Sequence, residues 1–302
     1  MAVTPVVLFG LGPIGCQLGR MAAERAELRV VGGVDLHPER VGRPLGEVLG
    51  VSGLPQPVVE DLAALQEDAG VALHATGSSL EAVAPQLKAL ADALDLFARQ
   101  HDATLVGTGV NPGFAMDTLP LVLTGPARSV EAVRVERRVA ASTRREPLQR
   151  KIGAGLSRPA FEAGVEAKAI RHVGLPESAA AVAAALGWKV EAVDETIEPV
   201  IARERIQTKF LTVERGQVAG VHQVARAVER GRERVLLDLT MSVDVPTSVD
   251  RITLIGNPPM TLTVEGIHGD VATAAVVLNA VAPVRAARSG LLTMADLAVV
   301  HR

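Results

Sequence analysis

The 302-residue chain contains no tyrosine, one tryptophan, five phenylalanines and one cysteine. With so few rings, its core must be built from Val, Leu, Ala and Ile. The lone Cys16 excludes a disulfide framework. No apolar run approaches the ~18 residues that a bilayer-spanning helix needs. The opening MAVTPVVLFG carries no basic n-region, so no secretory signal is expected and a cytoplasmic location is. The seven histidines are scattered, with no H-x-x-x-H and no C-x-x-C, so no metal site is expected. A G-x-S-x-G nucleophile elbow is also missing. Charge of neither sign dominates: the formal net charge is -3, which offers nothing to a nucleic acid or an anionic membrane.

What is present is 48% apolar and 22% charged sequence, the composition of a globular protein. The length suggests about two domains.

Val6-Val7-Leu8-Phe9 is a short apolar run of the kind buried in a parallel sheet. Gly10-Leu11-Gly12-Pro13-Ile14-Gly15 follows at once, and then a helical pattern with Ile14, Leu18, Met21 and Ala22 on one face. A second strand, Leu28 to Val34, ends in Asp35. Strand, G-x-G-x-x-G, helix, strand and acid in this order read as a dinucleotide-binding unit. Gly10 allows the tight turn, Gly12 lets backbone approach a pyrophosphate, and Gly15 lets helix and strand sit close. The helix start offers free N–H groups and a positive dipole end to phosphates, beside Pro13 and Ile14. Asp35 is placed to accept ribose hydroxyls, which favours NAD over NADP, although Arg40 and Arg43 lie close enough in sequence to reach a 2′-phosphate.

Val71 to Thr76 reads as another buried strand, leading to Gly77-Ser78-Ser79 and a helix from Leu80 to Arg99 with Leu87, Leu90, Leu94 and Phe97 on its apolar face. Thr104 to Val110 reads as the next strand and runs into Asn111-Pro112-Gly113-Phe114. Ligands of open α/β sheets bind at the carboxyl ends of strands, so Thr76, Gly77, Asn111, Pro112 and Gly113 are expected to flank the nicotinamide end of a cofactor. The alternative for Asn111-Pro112-Gly113 is a plain turn.

Beyond Leu119 the pattern changes. Strands are expected at Val130–Val139, Lys189–Ile197, Thr208–Val213, Arg234–Val243, Arg251–Ile255 and Met260–Glu265, with a loop or irregular helix over Ala140–Gly155 and a helix over Glu177–Leu186. This predicts a sheet covered on one face. Asp270 reads as the N-cap of a very apolar helix, Val271 to Val281, expected in a seam between two domains. The fold class is therefore α/β: a doubly wound parallel sheet followed by an α+β mixed-sheet domain.

Gly107-Thr108-Gly109-Val110-Asn111-Pro112-Gly113-Phe114-Ala115-Met116-Asp117-Thr118-Leu119-Pro120 resembles the signature of dihydrodipicolinate-reductase-like oxidoreductases. Within them it is similar to the 2,4-diaminopentanoate dehydrogenase and native amine dehydrogenase branch. Ala141 to Leu156, Arg171 to Ser178, Ile267 to Ala274 and Gly290 to Met294 fit the same branch. The resemblance implies a Rossmann domain over residues 1–118, a substrate and dimerisation domain over 119–267, and a C-terminal helix over 268–302 that returns to the first domain. It implies a homodimer and a reversible conversion of a small amine to a ketone or aldehyde and ammonia, with NAD or NADP. The His-His motif of true dihydrodipicolinate reductases is absent. Relative to the branch, roughly twenty residues, a strand and its connections, are missing where Leu87-Lys88-Ala89-Leu90 runs into Ala91-Asp92. The glutamate that handles the amine in the branch goes with them.

Reductive amination needs an acid/base to move protons while ammonia adds and water leaves. His268, in a Gly-flanked turn, His172, with a suitable intrinsic pKa, and Glu177, at a helix start, are the candidates. Their alternatives are a turn residue, a satisfied structural histidine and a dipole-stabilising carboxylate. Phe114, Met116 and Arg144 are expected in the substrate pocket, with Arg144, Arg145, Arg150 and Lys151 available to a substrate carboxylate or else to solvent and interface pairing. Asp117 reads as a helix start and Cys16 as core. An imine or carbonyl reductase on the same scaffold, or a cofactor-binding protein that has lost catalysis, are the competing functions.

Overall fold

The computed structural model describes residues 3–65, 70–75, 95–96 and 98–301. The chain divides into two compact units, Met1–Gly109 with Gly269–Arg302, and Val110–His268.

The first unit opens with β1 (Thr4–Phe9), α1 (Pro13–Ala23), β2 (Leu28–Val34), α2 (Leu45–Leu49), β3 (Val71–His74) and β4 (Thr104–Val106). The three strands β2, β1 and β3 pair in parallel in that order. β1 is central, and its Val6, Val7 and Leu8 are at most 1% exposed, as an uninterrupted apolar run in a covered parallel sheet must be. α1 starts on Gly12 with Pro13 in its first turn, where a missing N–H costs nothing. Its Gly15, Leu18, Gly19 and Ala22 face the core. The strand expected through Val110 stops at Val106, because Gly107 and Gly109 leave the extended ladder. The helix expected from Leu80, with Leu87, Leu90, Leu94 and Phe97, lies outside the described residues except for helical positions 95, 96, 98 and 99, and so does the junction after Leu90.

The second unit runs α3 (Thr118–Leu123), β5 (Ser129–Ala140), α4 (Glu146–Lys151), α5 (Arg158–Glu166), α6 (Leu175–Ala185), β6 (Ala192–Ile201), β7 (Ile206–Gln207), β8 (Thr212–Val213), β9 (Val218–Glu229), β10 (Arg232–Ser242), β11 (Val249–Asn257) and β12 (Met260–Glu265). A six-stranded sheet has the order β12-β11-β5-β10-β9-β6. Only β5 and β10 pair in parallel; the other neighbours are antiparallel. The buried side chains of α6, Leu175, Ala179, Val182 and Ala183, join Val135, Leu237, Leu239 and Ile252 of the sheet in one core.

Three expectations change here. β9 was not anticipated, because Gly220, His222, Gln223 and Arg226 break its apolar alternation; in the sheet Val221, Gln223, Ala225 and Ala227 are buried on one face, while His222 and Arg226 keep 36% and 42% of their side-chain surface exposed. The expected strand Thr208–Val213 is instead two short pieces flanking a turn closed by the Thr208 hydroxyl. The Arg158–Glu166 helix, capped by Ser157, was likewise not read, because its sequence is short of apolar residues and buries only Phe161.

The chain then returns to the first unit through α7 (Gly269–Ala286) and β13 (Gly290–Leu292). Asp270 lies inside the first turn of α7 rather than at its N-cap, because the helix already starts at Gly269. Ala274, Leu278 and Val281 pack with Leu8, Leu18 and Leu73 in the first unit's core. Asn279 accepts a hydrogen bond from Arg25 at 2.7 Å, and Arg285 donates to Thr4 at 2.6 Å. β13 pairs in parallel with β4, and among the described residues this pair is not joined to the β2-β1-β3 sheet.

One polar pair lies inside the second unit's sheet. Arg137 of β5 and Asp250 of β11 are direct cross-strand neighbours, 3.2 Å apart, with side chains 3% and 1% exposed. Burial pushes the Asp250 carboxyl up and the Arg137 guanidinium down, each partly opposed by the other's charge. Removing one partner strands a buried charge, which typically costs about 3–5 kcal/mol, whereas replacing both by apolar groups is often neutral. We therefore predict that Arg137→Met destabilises the protein by about that amount in urea denaturation, and that adding Asp250→Leu recovers most of the loss. Equal stability of the single and double variants would contradict this reading of the pair.

Candidate cofactor and substrate sites

The turn between β1 and α1 is built by glycines with distinct duties. Gly10 adopts φ +92°, a conformation that side chains resist, and its N–H donates to the Val34 carbonyl at 2.8 Å. A Cβ on Gly15 would collide with the Gly10 carbonyl, so this glycine is what lets α1 sit against the turn. A Cβ on Gly12 would meet nothing within 4 Å. No side chain caps α1 at Gly12. The start of α1, at Pro13 and Ile14, therefore presents uncapped backbone to an open cradle, an arrangement that suits a phosphate.

Asp35 closes the turn from the end of β2. Its Oδ2 accepts the Leu11 N–H at 2.7 Å and the Arg40 guanidinium at 3.0 Å, and its Oδ1 accepts the His37 N–H at 2.8 Å. Burial pushes this carboxyl up, but the hydrogen bonds from His37, Leu11 and Arg40 outweigh it, and it stays below the ordinary aspartate range. Beside it lies a cavity of about 370 Å³ lined by Leu11, Gly12, Pro13, Cys16, Arg40 and Arg43, with Glu39, Glu47 and Val48 completing the wall. Thr76 and Gly77, expected at the nicotinamide end, lie outside the described residues.

A second polar cluster stands in the second unit. The Asn111–Pro112 peptide is cis, and the turn that follows is gathered by Asp117. Asp117 Oδ2 accepts the Gly113 N–H at 2.8 Å and the Ser178 hydroxyl at 2.7 Å, and its Oδ1 accepts the Thr118 N–H at 2.6 Å. Asp117 is thus the N-cap of α3 and also the tie between this turn and α6. Gly174, at φ +103°, abuts the Pro112 ring so closely that a Cβ there would clash. The segment Asn111–Asp117, expected with the first domain, is held by these bonds to the second unit.

Asn111 links this turn to His172: its amide nitrogen lies 3.1 Å from His172 Nε2. Since that amide can only donate, Nε2 accepts and the ring proton of a neutral His172 sits on Nδ1. Gln223, fully buried on β9, accepts the His172 N–H at 2.8 Å and donates to the His172 carbonyl at 2.8 Å and to Glu195 at 2.7 Å. Arg171 lies 3.7 Å from the other Glu195 oxygen. Some surface of His172 is accessible, but its imidazole is packed among protein atoms. Burial, and then the charges of Arg137, Lys151, Arg144 and Arg171, push its pKa down from 6.5 to about 3. The near-neutral pKa that recommended His172 as an acid/base does not survive in the fold. At neutral pH it is an uncharged hydrogen-bond donor amid cations, suited to holding a carbonyl or carboxylate oxygen.

The other expected residues are dispersed. Glu177 is exposed in the first turn of α6, where a carboxylate complements the helix dipole. His268 is exposed at the end of the second unit. Neither makes a hydrogen bond or ion pair to the His172 cluster among the described residues. Met116, expected in a pocket, is 0% exposed in the core with its sulfur 3.1 Å from the Asn111 amide. Phe114 packs partly buried against the same core, and Arg144 is 8% exposed. Ser178, Glu195, Gln223 and Arg137 were not singled out by sequence reasoning. For Gln223 the available signal was a polar residue at an inward strand position, and it was hidden with β9.

Comparison with known proteins follows this geometry. Residues 114–302 match the family of 2,4-diaminopentanoate dehydrogenase C-terminal domains. The chain is 26% identical over 224 residues to a 2,4-diaminopentanoate dehydrogenase of Acetoanaerobium sticklandii, covering 70% of this chain and 62% of that relative's length. Its fold is similar to the solved structure of an amine dehydrogenase from Mycobacterium smegmatis, with a TM-score of 0.85 at 21% identity, over 99% of this chain and 97% of the other.

Two predictions arise here. Gly12→Ala adds a methyl group to open space, so it is expected to leave thermal stability nearly unchanged while weakening dinucleotide binding at least tenfold, about 1.4 kcal/mol. Gly15→Ala is expected to lower the melting temperature itself. If both variants bind and melt like the parent, the cradle has been misread. The second prediction concerns pH. A histidine whose pKa falls from 6.5 to about 3 on folding adds stability that is complete above pH 6.5 and is lost as the pH falls toward 3. The interval from pH 6.5 to about 5 lies above the ordinary carboxylate range, and comparison with a variant lacking the imidazole separates its part from that of the raised Asp250 carboxyl. Urea denaturation over that interval is expected to show falling stability in the parent and a flatter profile in His172→Asn. Parallel profiles would rule out the depressed pKa.

Proposed function

Since the chain belongs to the 2,4-diaminopentanoate dehydrogenase C-terminal domain family, we propose that it is an NAD(P)-dependent amine dehydrogenase. It interconverts a small amine with the corresponding ketone or aldehyde and ammonia. The observation that carries the cofactor half of this reading is the cradle at Gly12, open to a Cβ and facing an uncapped helix start. Bound there, the dinucleotide supplies or accepts the hydride. The residues of the first unit bind and orient it: the α1 backbone faces its phosphates, and Asp35 braces the turn through Leu11. In the sequence pattern an acid at Asp35 favours NAD; in the fold that carboxylate is held by Leu11, His37 and Arg40, which leaves the choice of cofactor to the wall beside it.

The second unit supplies the substrate's surroundings in this reading. The Asn111–His172 pair holds a neutral imidazole with Nδ1–H as donor, and Arg144 and Arg171 give the region positive charge. Oxygen of a carbonyl or carboxylate is the group such a set would hold. Proton transfer then falls to Glu177 or His268, since His172 stays neutral. A homodimer in the cytoplasm is the expected form of the enzyme. The scaffold that binds cofactor but no longer turns over is the second reading, favoured by one observation: the histidine gathered with Asn111 and the nearby arginines has its pKa pushed to about 3 and stays neutral.

The deciding experiment is oxidation of NADH and NADPH with a panel of small ketones and aldehydes, with and without high ammonium. Oxidation that requires ammonium is the expected result, with Glu177→Gln and His268→Ala compared for loss of kcat. Ammonium-independent oxidation would replace the proposal with a carbonyl reductase. Tight cofactor binding without turnover under either condition would favour the scaffold reading.

A further inference from the structure

The cavity beside the Gly10–Gly15 turn has a charge arrangement that the motif does not convey. In the simplest reading of such a turn, the acid at the end of β2 faces the ribose and repels a 2′-phosphate. Here the acid faces inward. Asp35 has a side chain only 10% exposed, and three hydrogen bonds, from Leu11, His37 and Arg40, occupy three of the roughly four lone-pair positions of its carboxylate. Arg40, 3.0 Å away and 33% exposed, covers it on the solvent side. Arg43 lies on the same cavity wall. It approaches Glu47 at 3.6 Å, but both side chains are more than half exposed, and such pairs contribute little. Arg43 is therefore available to a better partner. The group a ribose meets in this cavity is a guanidinium pair, with the carboxylate behind it.

We propose that the cavity lined by Arg40 and Arg43 is a subsite for the 2′-phosphate of a nucleotide, so that NADP(H) is bound in preference to NAD(H), with Asp35 acting as the brace that holds Arg40 and the glycine turn in place. This inference rests on the dinucleotide site described above and names the ligand chemistry at its adenosine end. Guanidinium groups match phosphate oxygens in geometry as well as charge, and a dianionic phosphate gains more from two of them than a ribose hydroxyl does. Glu39 and Glu47 on the same wall set the limit on that gain, and they make it sensitive to salt.

The test uses the full chain and equilibrium binding, without turnover. Isothermal titration calorimetry at low ionic strength compares 5′-AMP, adenosine 2′,5′-bisphosphate and adenosine 3′,5′-bisphosphate. The 2′,5′ isomer is expected to bind about tenfold more tightly than 5′-AMP, as two charge-assisted contacts allow, and the advantage should shrink with added salt. Arg40→Ala and Arg43→Ala, each checked for an unchanged melting profile, are expected to bring the ratio of the two affinities toward one. Arg43→Ala keeps the test independent of the brace, since Arg43 does not touch Asp35 among the described contacts. Equal or tighter binding of 5′-AMP would overturn the subsite while leaving the dinucleotide site standing. Equal gains from the 2′,5′ and 3′,5′ isomers would overturn it too, because they would reflect charge without position. Failure of all three nucleotides and of both NADH and NADPH to bind would overturn the dinucleotide site and the subsite together.

Discussion

The absence of a single Cβ sets the geometry of the first unit. Gly15 lies so close to the Gly10 carbonyl that any side chain would force α1 away from the turn. Because α1 docks there, its uncapped start stands over open space, and the Leu11 N–H points at Asp35. Because Asp35 is held by Leu11 and His37, Arg40 has a fixed anion to lie on. Each later feature of the site inherits its position from that contact. An interior that cannot accommodate even one extra carbon transmits the constraint, since protein cores pack as densely as organic crystals.

The second unit depends on two buried polar side chains, Gln223 and Asp117, whose hydrogen bonds tie its loops to its sheet and helix. Gln223 spends its two amide hydrogens and its carbonyl on His172 and Glu195, and Asp117 spends its carboxylate on Gly113, Thr118 and Ser178. Such groups are costly when half satisfied and rigid when complete. They hold the loop before α6 and the Asn111 turn in one arrangement, and the neutral His172 is a consequence. The same low-dielectric surroundings that make these bonds firm push its proton off.

Much of this was legible in the residues. Val6 to Gly15, Leu28 to Asp35 and Met260 to Glu265 announced their elements through apolar runs, glycine spacing and alternation, all of which are local patterns. The stretch from Gly107 to Pro120 pointed to the family. β9 and its Gln223 were not legible, because the polar Gln223 is buried among Val221, Ala225 and Ala227, which blurs the alternation, and the strand's polar residues looked like those of a loop. Asp270 was misplaced by two positions, since helix starts are set by the backbone partners available as much as by the cap residue.

The sequence by itself determined the glycine-rich turn between β1 and α1, the mixed-sheet second domain and the membership of the chain in its family. These follow from short-range spacing, which the chain carries wherever it folds. Tertiary structure alone decided what the charged residues became. Asp35, read as a ribose acceptor, faces its own backbone; His172, read as a titrating base, is driven to about 3; and Arg137 meets Asp250 across 113 positions of sequence. A carboxylate or an imidazole has the same intrinsic chemistry everywhere, and its charge and direction are set by the dielectric and the partners around it, which only folding brings together.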